Sequence, residues 1–312
     1  MNEQQCISKM IAPGTPRRGK WRQGVIQIRI IRSCDMACFG CTQASQISGS
    51  PERMTVDQFE VAVKSLAGYF GVVGVFGGNP AAHPQFNEIC EVLKAHVPFV
   101  QRGLWCNNPL GKGKVMAETF NPMHSNLNVH MNQSAFDEFK RDWPESRPVG
   151  LEGASRHSPV HGSMVDLGVS EPERWERISK CDINQHWSAI IAAVNGSIKA
   201  YACEIMASQA FLRRNGPTFV DTGMPVESGW WKLPMSAFAD QVRTNCHHCL
   251  VPMRGYGELD TAGADGVDRT TTMYALDFKP KKQRVVEVMT HVDQLQVDKL
   301  KTTVDYIGNA SK

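Results

Sequence analysis

The stretch VIQIRIIRSCDMACFGC, residues 25–41, combines a predicted strand with the first candidate metal site. Its first seven residues are mostly apolar and β-branched, which predicts a buried β-strand. Three cysteines follow at once, Cys34, Cys38 and Cys41, with three and two residues between them. Thiolates at this spacing can converge on one metal site from a single loop. They satisfy three irons of a [4Fe–4S] cluster and leave the fourth iron open.

These three residues, called the first cysteine set, allow two other interpretations. A zinc loop usually closes four ligands through C-x2–4-C pairs, and no fourth ligand is suitably spaced here. Chance clustering of thiols is the second. The cluster interpretation is favoured because the cysteines follow the first strand, and the carboxyl ends of the strands carry the active site of a βα barrel.

Strands and helices alternate downstream of this stretch. Thr55 is expected to cap a helix, with Gln58 three residues on. The apolar strand GVVGVF ends in the loop GGNP, Gly77–Pro80, and further strands are predicted in FVQRGLW, NLNVHM and PVGLEG. Cys90 is expected on the apolar side of an intervening helix. The alternation predicts an α/β fold with a parallel sheet, arranged as a full or partial barrel.

The pattern changes after about residue 175. The two β-runs WSAIIAAV and SIKAYACE are joined by Asn195-Gly196, a strong hairpin signal. Short helices are expected in MASQAFLRR and MSAFADQVRTN. A second cysteine set flanks these elements: Cys181, Cys203, Cys246 and Cys249. Four thiolates can close a second [4Fe–4S] cluster or bind one zinc ion, and chemistry alone does not separate the two. His247 and His248 are candidate ligands, hydrogen-bond donors to a ligand, or exposed loop residues.

CDMACFGC, followed about 35 residues on by GGNP, resembles the CxxxCxxC and GGEP motifs of radical S-adenosylmethionine (SAM) enzymes. The resemblance implies that the first cysteine set ligates a [4Fe–4S] cluster whose free iron chelates the amino and carboxylate groups of SAM. It also implies that the backbone of Gly77–Asn79 accepts hydrogen bonds from the SAM ammonium. The implied reaction is reductive cleavage of SAM to a 5′-deoxyadenosyl radical, which abstracts hydrogen from a substrate.

The chain departs from the family pattern at two places. Asn79 stands where the family has an acid, and Gly40 stands where it has an aromatic residue. Phe39 is expected to take over some of the adenine packing. Asn107 and Asn108 occupy a position where the family contacts the SAM ribose or carboxylate, or they only cap their loop. The cofactor-binding residues implied by the resemblance are Phe39, Gly40, Gly77, Gly78, Asn79, Pro80, Asn107 and Asn108.

The second cysteine set resembles the twitch (SPASM-like) auxiliary domain of some radical SAM enzymes, which implies an auxiliary [4Fe–4S] cluster. The implied fold is a partial (β/α)6 radical SAM barrel followed by a small hairpin and helix domain. The expected divisions are a basic N-terminal arm (1–24), the barrel (25–175), the auxiliary domain (176–254) and a C-terminal extension (255–312).

Composition narrows the class of protein. The 312 residues are 42% hydrophobic and 21% charged, which excludes a disordered, collagen-like or coiled-coil protein. No apolar run approaches a membrane span, and the N terminus has no signal-peptide core, so we expect a cytoplasmic protein that does not bind membranes. Ten cysteines in such a chain indicate metal or redox chemistry. The basic arm is expected to be a solvated, partly ordered tail, and Cys6 within it fits no pattern.

Three functions remain open. The first is a radical SAM oxidoreductase or isomerase acting on a small polar metabolite or a nucleobase-attached group of a nucleotide or nucleic acid. The second is a maturase of a ribosomal peptide. The third is a non-enzymatic iron–sulfur or zinc protein that binds nucleic acid. Flavodoxin or ferredoxin is the expected electron donor. Candidate substrate contacts are polar residues near predicted strand ends: His124, Asn128, His130, Asn132, Glu152, Arg156 and His157.

Overall fold

A computed structural model of the chain describes residues 1–17, 22–36, 41–45, 52–151, 156–157, 163–165, 167–214, 220–253 and 258–259. Within these residues the α-helices are α1 (Glu3–Lys9), α2 (Val56–Ser65), α3 (Phe86–His96), α4 (Gly113–Thr119), α5 (Gln133–Asp142), α6 (Glu171–Ser179), α7 (Asp182–His186), α8 (Glu204–Arg213) and α9 (Ala239–Asn245). The strands are β1 (Val25–Ile31), β2 (Val72–Gly77), β3 (Arg102–Cys106), β4 (Asn126–Asn128), β5 (Pro148–Val149), β6 (Arg156–His157), β7 (Ser188–Val194), β8 (Ser197–Tyr201), β9 (Met224–Pro225) and β10 (Glu258–Leu259).

Eight of these strands form one sheet in the order β5-β4-β3-β2-β1-β7-β8-β9. The pairs from β5 to β7 along this order are parallel, and β8 and β9 add two antiparallel strands at one edge. The mixed α/β class with a mostly parallel sheet is therefore confirmed. A separate two-stranded sheet pairs β6 with β10.

Strand β1 lies at the centre of the sheet, with β2 on one side and β7 on the other. All seven of its residues are buried, as expected for a parallel strand that is covered on both faces. Successive side chains of a strand point to opposite faces. Ile26, Ile28 and Ile30 therefore share one face, whereas the polar side chains of Gln27 and Arg29 are buried on the other.

Local sequence signals predict the elements that surround this strand. Thr55 caps α2 through a capping box with Gln58, as predicted. Cys90 is fully buried in α3, which contacts α2. Asn195 and Gly196 have φ of 50° and 78° and join β7 to β8, which confirms the hairpin. These elements needed no long-range information, because caps and two-residue turns are set by neighbouring residues.

The hairpin is continuous with the barrel sheet. The pairing of β7 with β1 joins residues on either side of the division expected near residue 175. Hence the sixth parallel strand of this sheet is the first strand of the hairpin. The predicted helix in MSAFADQVRTN is a 3-10 turn over Met235–Phe238 followed by α9.

The N-terminal segment corrects one expectation, because its described part is packed rather than solvated. Helix α1 contacts α6 and α9, and Cys6 is fully buried in this contact. Further along, Met10 and Arg17 are also buried. The basic residues of this segment suggest a solvated tail. Cys6, Ile7 and Met10, however, recur at helical spacing and form an apolar face. Arg18, Lys20 and Trp21 lie outside the described residues.

None of the described helices combines the length and the apolar composition that crossing a membrane requires.

Candidate metal centres

The carboxyl ends of β1, β2 and β3 bring the first candidate site together. Cys34 follows β1, Asn79 follows β2, and Asn107 with Asn108 follows β3. Cys34 is half-buried, and its sulfur accepts a hydrogen bond from the backbone N–H of Met36 at 3.4 Å. Three loops that are distant in sequence therefore meet at one edge of the sheet, as the barrel interpretation predicted.

Asp35 is the residue that connects these loops. Its carboxylate accepts hydrogen bonds from the side-chain amides of Asn107 at 3.1 Å, Asn108 at 3.0 Å and Asn79 at 3.4 Å. Burial alone would raise the pKa of Asp35, but these hydrogen bonds outweigh it and lower the pKa. A carboxylate held by three amides fixes the position of the neighbouring Cys34. The role of Asp35 was not predicted, because its hydrogen-bond partners are distant from it in the sequence.

Asn79 is fully buried, and both polar atoms of its side chain form hydrogen bonds with these loops. Its oxygen accepts from the N–H of Ala81, and its amide donates to the carbonyl of Asn108 at 3.0 Å as well as to Asp35. The thiol of Cys106 lies 3.3 Å from the same oxygen. An acid at position 79 would place a second carboxylate beside Asp35. The structure thus gives a physical reason for Asn in place of the acid of GGEP.

The glycines of GGNP are required by the chain that leads to Cys34. A Cβ on Gly77 would lie 2.2 Å from the carbonyl oxygen of Ile31, and one on Gly78 would lie 2.3 Å from that of Ser33. The N–H of Gly78 donates to Ile31, and that of Asn79 donates to Ser33 at 2.8 Å. These contacts hold the GGNP loop against the end of β1. The close approach for which Gly was predicted is therefore made to the protein backbone itself.

Other members of the first site are only partly described. Cys41 is half-buried, and Pro80 begins a 3-10 turn. Cys38, Phe39 and Gly40 lie outside the described residues, so the predictions for them stay predictions.

Exchange of Asn79 for Asp tests the arrangement around Asp35. Asn79→Asp removes the amide that donates to Asp35 and Asn108, and it adds a carboxylate in a fully buried position. We expect the free energy of unfolding to fall by about 2 kcal/mol, because like charges and a lost donor both act there. Urea unfolding of the metal-free protein measures it.

Two further variants serve as controls for this prediction. Asn132 accepts a hydrogen bond from Ala135 N–H as the N-cap of α5, so Asn132→Asp should change stability by less than about 0.5 kcal/mol. Asp35→Asn/Asn79→Asp restores one carboxylate and one amide and should recover part of the loss. An Asn79→Asp protein as stable as Asn132→Asp would contradict the role given to Asp35.

The predicted substrate contacts fall into different parts of the structure. Asn128 ends β4, and its side-chain oxygen accepts from the N–H of His130. His130 and Met131 both have positive φ, 47° and 62°, which is strained backbone at the carboxyl edge of the sheet. Asn132 is committed to capping α5. Asn128 and His130 therefore lie at the same edge of the sheet as the first candidate site, and Asn132 has a structural role.

His124 corrects the set of substrate contacts. It precedes β4 rather than following it, and its Nε2 lies 3.2 Å from Nε2 of Gln23, which precedes β1. His124 is therefore at the amino edge of the sheet, opposite the cysteines. Arg156 and His157 form β6, which pairs with β10. Glu152 lies outside the described residues.

The second cysteine set lines one cavity. Cys181 precedes α7, Cys203 is the N-cap of α8, and Cys246 and Cys249 flank the turn after α9. The remaining lining is mostly apolar. Four thiols from segments that are distant in the sequence therefore line the same cavity. Within the described residues, no three His, Cys, Asp or Glu side chains are placed to hold a single metal ion.

Burial raises the pKa of Cys203, Cys246 and Cys249, and the neighbouring thiols raise it further. The pKa of Cys6 is raised as well, to about 12, mainly by burial and then by the nearby Cys181. Metal binding here must therefore displace protons from neutral thiols. The donor set, four thiols around a shared space, fits an iron–sulfur cluster.

The segments that carry these thiols are tied together by buried side chains. Gln241 of α9 accepts from the N–H of Ala202 and donates to the carbonyl of Ala200. Gln209 of α8 donates to the carbonyl of His248 at 2.8 Å, and Arg213 donates to that of Thr244. The hairpin and α9 are thus connected by protein hydrogen bonds in addition to any metal.

His247 and His248 contact protein groups outside the cavity. Nδ1 of His247 accepts from Nε of Arg174 at 3.1 Å, and its ring lies edge-on to Trp175. Nδ1 of His248 lies 3.4 Å from the hydroxyl of Ser163. His247 and His248 are therefore not exposed loop residues, because both are partly buried.

A buried carboxyl group links the two cysteine sets. Glu204 directly follows Cys203, and Thr42 directly follows Cys41. Burial raises the pKa of Glu204 to about 7, although hydrogen bonds with Ser188, Thr42 and Gln27 lower it. Sequence reasoning missed this group. The signal in the sequence was the polar Gln27 within a mostly apolar strand.

No family model and no curated protein matches the sequence. Among solved structures, the chain is similar to the crystal structure of BtrN in complex with AdoMet and 2-DOIA. The sequence identity is 11%, the match covers 81% of this chain and 96% of that chain, and the TM-score is 0.43. Similarity at this level transfers no function to the chain.

Proposed function

We propose that the protein is a radical SAM enzyme with an auxiliary iron–sulfur cluster. The observation that carries the proposal lies at the carboxyl ends of β1, β2 and β3: Asp35, next to Cys34 of the CxxxCxxC motif, accepts hydrogen bonds from Asn79 of GGNP and from Asn107 and Asn108. A metal-binding module has no need for two further sheet-end loops tied to the residue beside its first cysteine. The first cysteine set is proposed to hold the cluster, and the backbone of Gly77–Asn79 is proposed to accept hydrogen bonds from the SAM ammonium.

When bound, the cluster and SAM supply a 5′-deoxyadenosyl radical that abstracts hydrogen from a substrate. The chain's own residues orient these groups. Asn107 and Asn108 fix the position of Asp35, next to Cys34, since the side-chain amides of both donate to the Asp35 carboxylate. Asn107 and Asn108 thus act on SAM through the loop they hold.

An iron–sulfur cluster rather than zinc is proposed for the second cysteine set. The order of elements supports the cluster, because it resembles that of the twitch domain: Cys181, the hairpin of β7 and β8, Cys203 before α8, and Cys246 and Cys249 after α9. The four thiols line one cavity. Because four thiolates leave no iron open, this cluster is proposed to relay or accept electrons.

The substrate is proposed to be a small polar metabolite or a nucleobase-attached group, bound near the carboxyl end of β4. The strained backbone at His130 and Met131 supports this position, because strain of this kind concentrates at functional sites. The reaction is proposed to be a dehydrogenation or a rearrangement. Formation of 5′-deoxyadenosine from SAM by the anaerobically reconstituted protein tests the proposed chemistry.

A further inference from the structure

Arg17 is a buried cation beside the second cysteine set. Its side chain is only 4% exposed. One guanidinium nitrogen, Nη1, donates to the carbonyl of Asn184, a residue that lines the same cavity as the four thiols. Nε and Nη2 are buried and have no hydrogen-bond partner within the described residues. Two donors of a charged group are thus left to be satisfied by something else.

Among the described residues, no carboxylate acts electrostatically on Arg17. The groups that do are Tyr69, Cys203 and Cys181, all of them neutral when protonated. A buried guanidinium without a counter-charge is strongly destabilising, because its desolvation is not compensated. Arg17 is therefore unfavourable in the metal-free protein and requires a negative partner on the side of the two thiols.

The position of Arg17 is fixed by the packed N-terminal segment. Its N–H donates to the carbonyl of Arg22 at 3.0 Å. Upstream, the backbone of Ile11 and the side chain of Asn184 exchange two hydrogen bonds, at 2.9 and 3.0 Å. The N–H of Gly14 donates to Trp231, against which a Cβ at Gly14 would clash at 2.5 Å. The guanidinium is therefore held in place and is not a mobile surface group.

We infer that Arg17 is the counter-ion of the iron–sulfur centre in the second cysteine set and raises its reduction potential. A [4Fe–4S]²⁺ core with four thiolates carries a net charge of −2, and one-electron reduction makes it −3. A fixed positive charge stabilises the reduced form more, and net charge and hydrogen bonds to sulfur set the potentials of such clusters. This inference rests on the auxiliary cluster of the proposed function.

The test uses full-length protein in which Cys34, Cys38 and Cys41 are replaced by Ala, so that one cluster remains. Its midpoint potential is measured by an electron paramagnetic resonance titration with dithionite. Arg17→Gln should disfavour reduction about tenfold, which is 59 mV for one electron. Arg17→Lys, which keeps the charge, should retain most of the potential. The control Arg22→Gln removes a charge from an exposed residue and should leave the potential unchanged.

Iron content and unfolding separate the possible failures. Should the parent hold no iron, the auxiliary cluster is wrong, and the inference falls with it. With about four iron in the parent, equal potentials for Arg17→Gln and Arg22→Gln would overturn the inference alone. If the Arg17→Gln protein loses its iron, the Arg17→Lys protein distinguishes two explanations. Iron retained by Arg17→Lys supports the role of Arg17 as a counter-ion, whereas iron lost from both variants overturns the inference. As a second readout, Arg17→Gln should lower the unfolding temperature of the loaded protein but not that of the metal-free protein.

Discussion

Replacement of Cys34, Cys38 and Cys41 by Ala should abolish the cleavage of SAM. We expect the reconstituted protein to hold about eight iron and eight sulfide per chain, and the triple variant to hold about four of each. The reason is that these thiols are the proposed ligands of the SAM-binding cluster, whereas the second cysteine set is untouched. Iron and sulfide analysis and the yield of 5′-deoxyadenosine measure the outcome.

Cys90→Ala is the matched control for the loss of thiols. Cys90 is fully buried in α3 and belongs to neither cysteine set, so its replacement should leave all eight iron and full SAM cleavage. A triple variant that still cleaves SAM would show that the loop after β1 does not hold the reactive cluster.

Replacement of Cys246 and Cys249 by Ala should separate SAM cleavage from product formation. We expect the variant to bind SAM and to cleave it under a strong chemical reductant, since the first site is intact, but to form no product. The unfolding temperature should also fall, because metal bound between separate segments contributes to folding. The hydrogen bonds of Gln241, Gln209 and Arg213 still connect these segments, so the fold should persist without the metal.

Both yields are to be measured on the same anaerobic sample, with the iron count showing that only the first cluster remains. Far-ultraviolet circular dichroism checks that the sheet is intact. Product formed in the normal ratio to 5′-deoxyadenosine would mean that the second cysteine set only stabilises the fold. Retention of about eight iron would mean that these two thiols are not ligands.

The sequence predicts best what neighbouring residues decide. The strand before Cys34, the capping box of Thr55 and the Asn195-Gly196 turn were all expected, and the structure has them. Each depends on a few adjacent side chains. The convergence of the second cysteine set was also expected, but on the strength of a resemblance rather than of local geometry.

What the sequence did not predict depends on contacts between distant residues. The pairing of β7 with β1 makes one sheet of two expected domains, and it rests on strands more than 150 positions apart. Asp35 gains its role from amides that follow β2 and β3. Arg17 was counted as part of a basic tail because charge was considered without the apolar spacing of the residues before it.

The central claim is tested most directly by SAM turnover. Anaerobically reconstituted protein, SAM and dithionite are incubated without added substrate, and 5′-deoxyadenosine and methionine are quantified by chromatography and mass spectrometry. We expect both products in equal amounts from the wild-type protein and neither from the Cys34→Ala/Cys38→Ala/Cys41→Ala variant. A fully loaded wild-type protein, with about eight iron per chain, that releases no 5′-deoxyadenosine would contradict the proposed function.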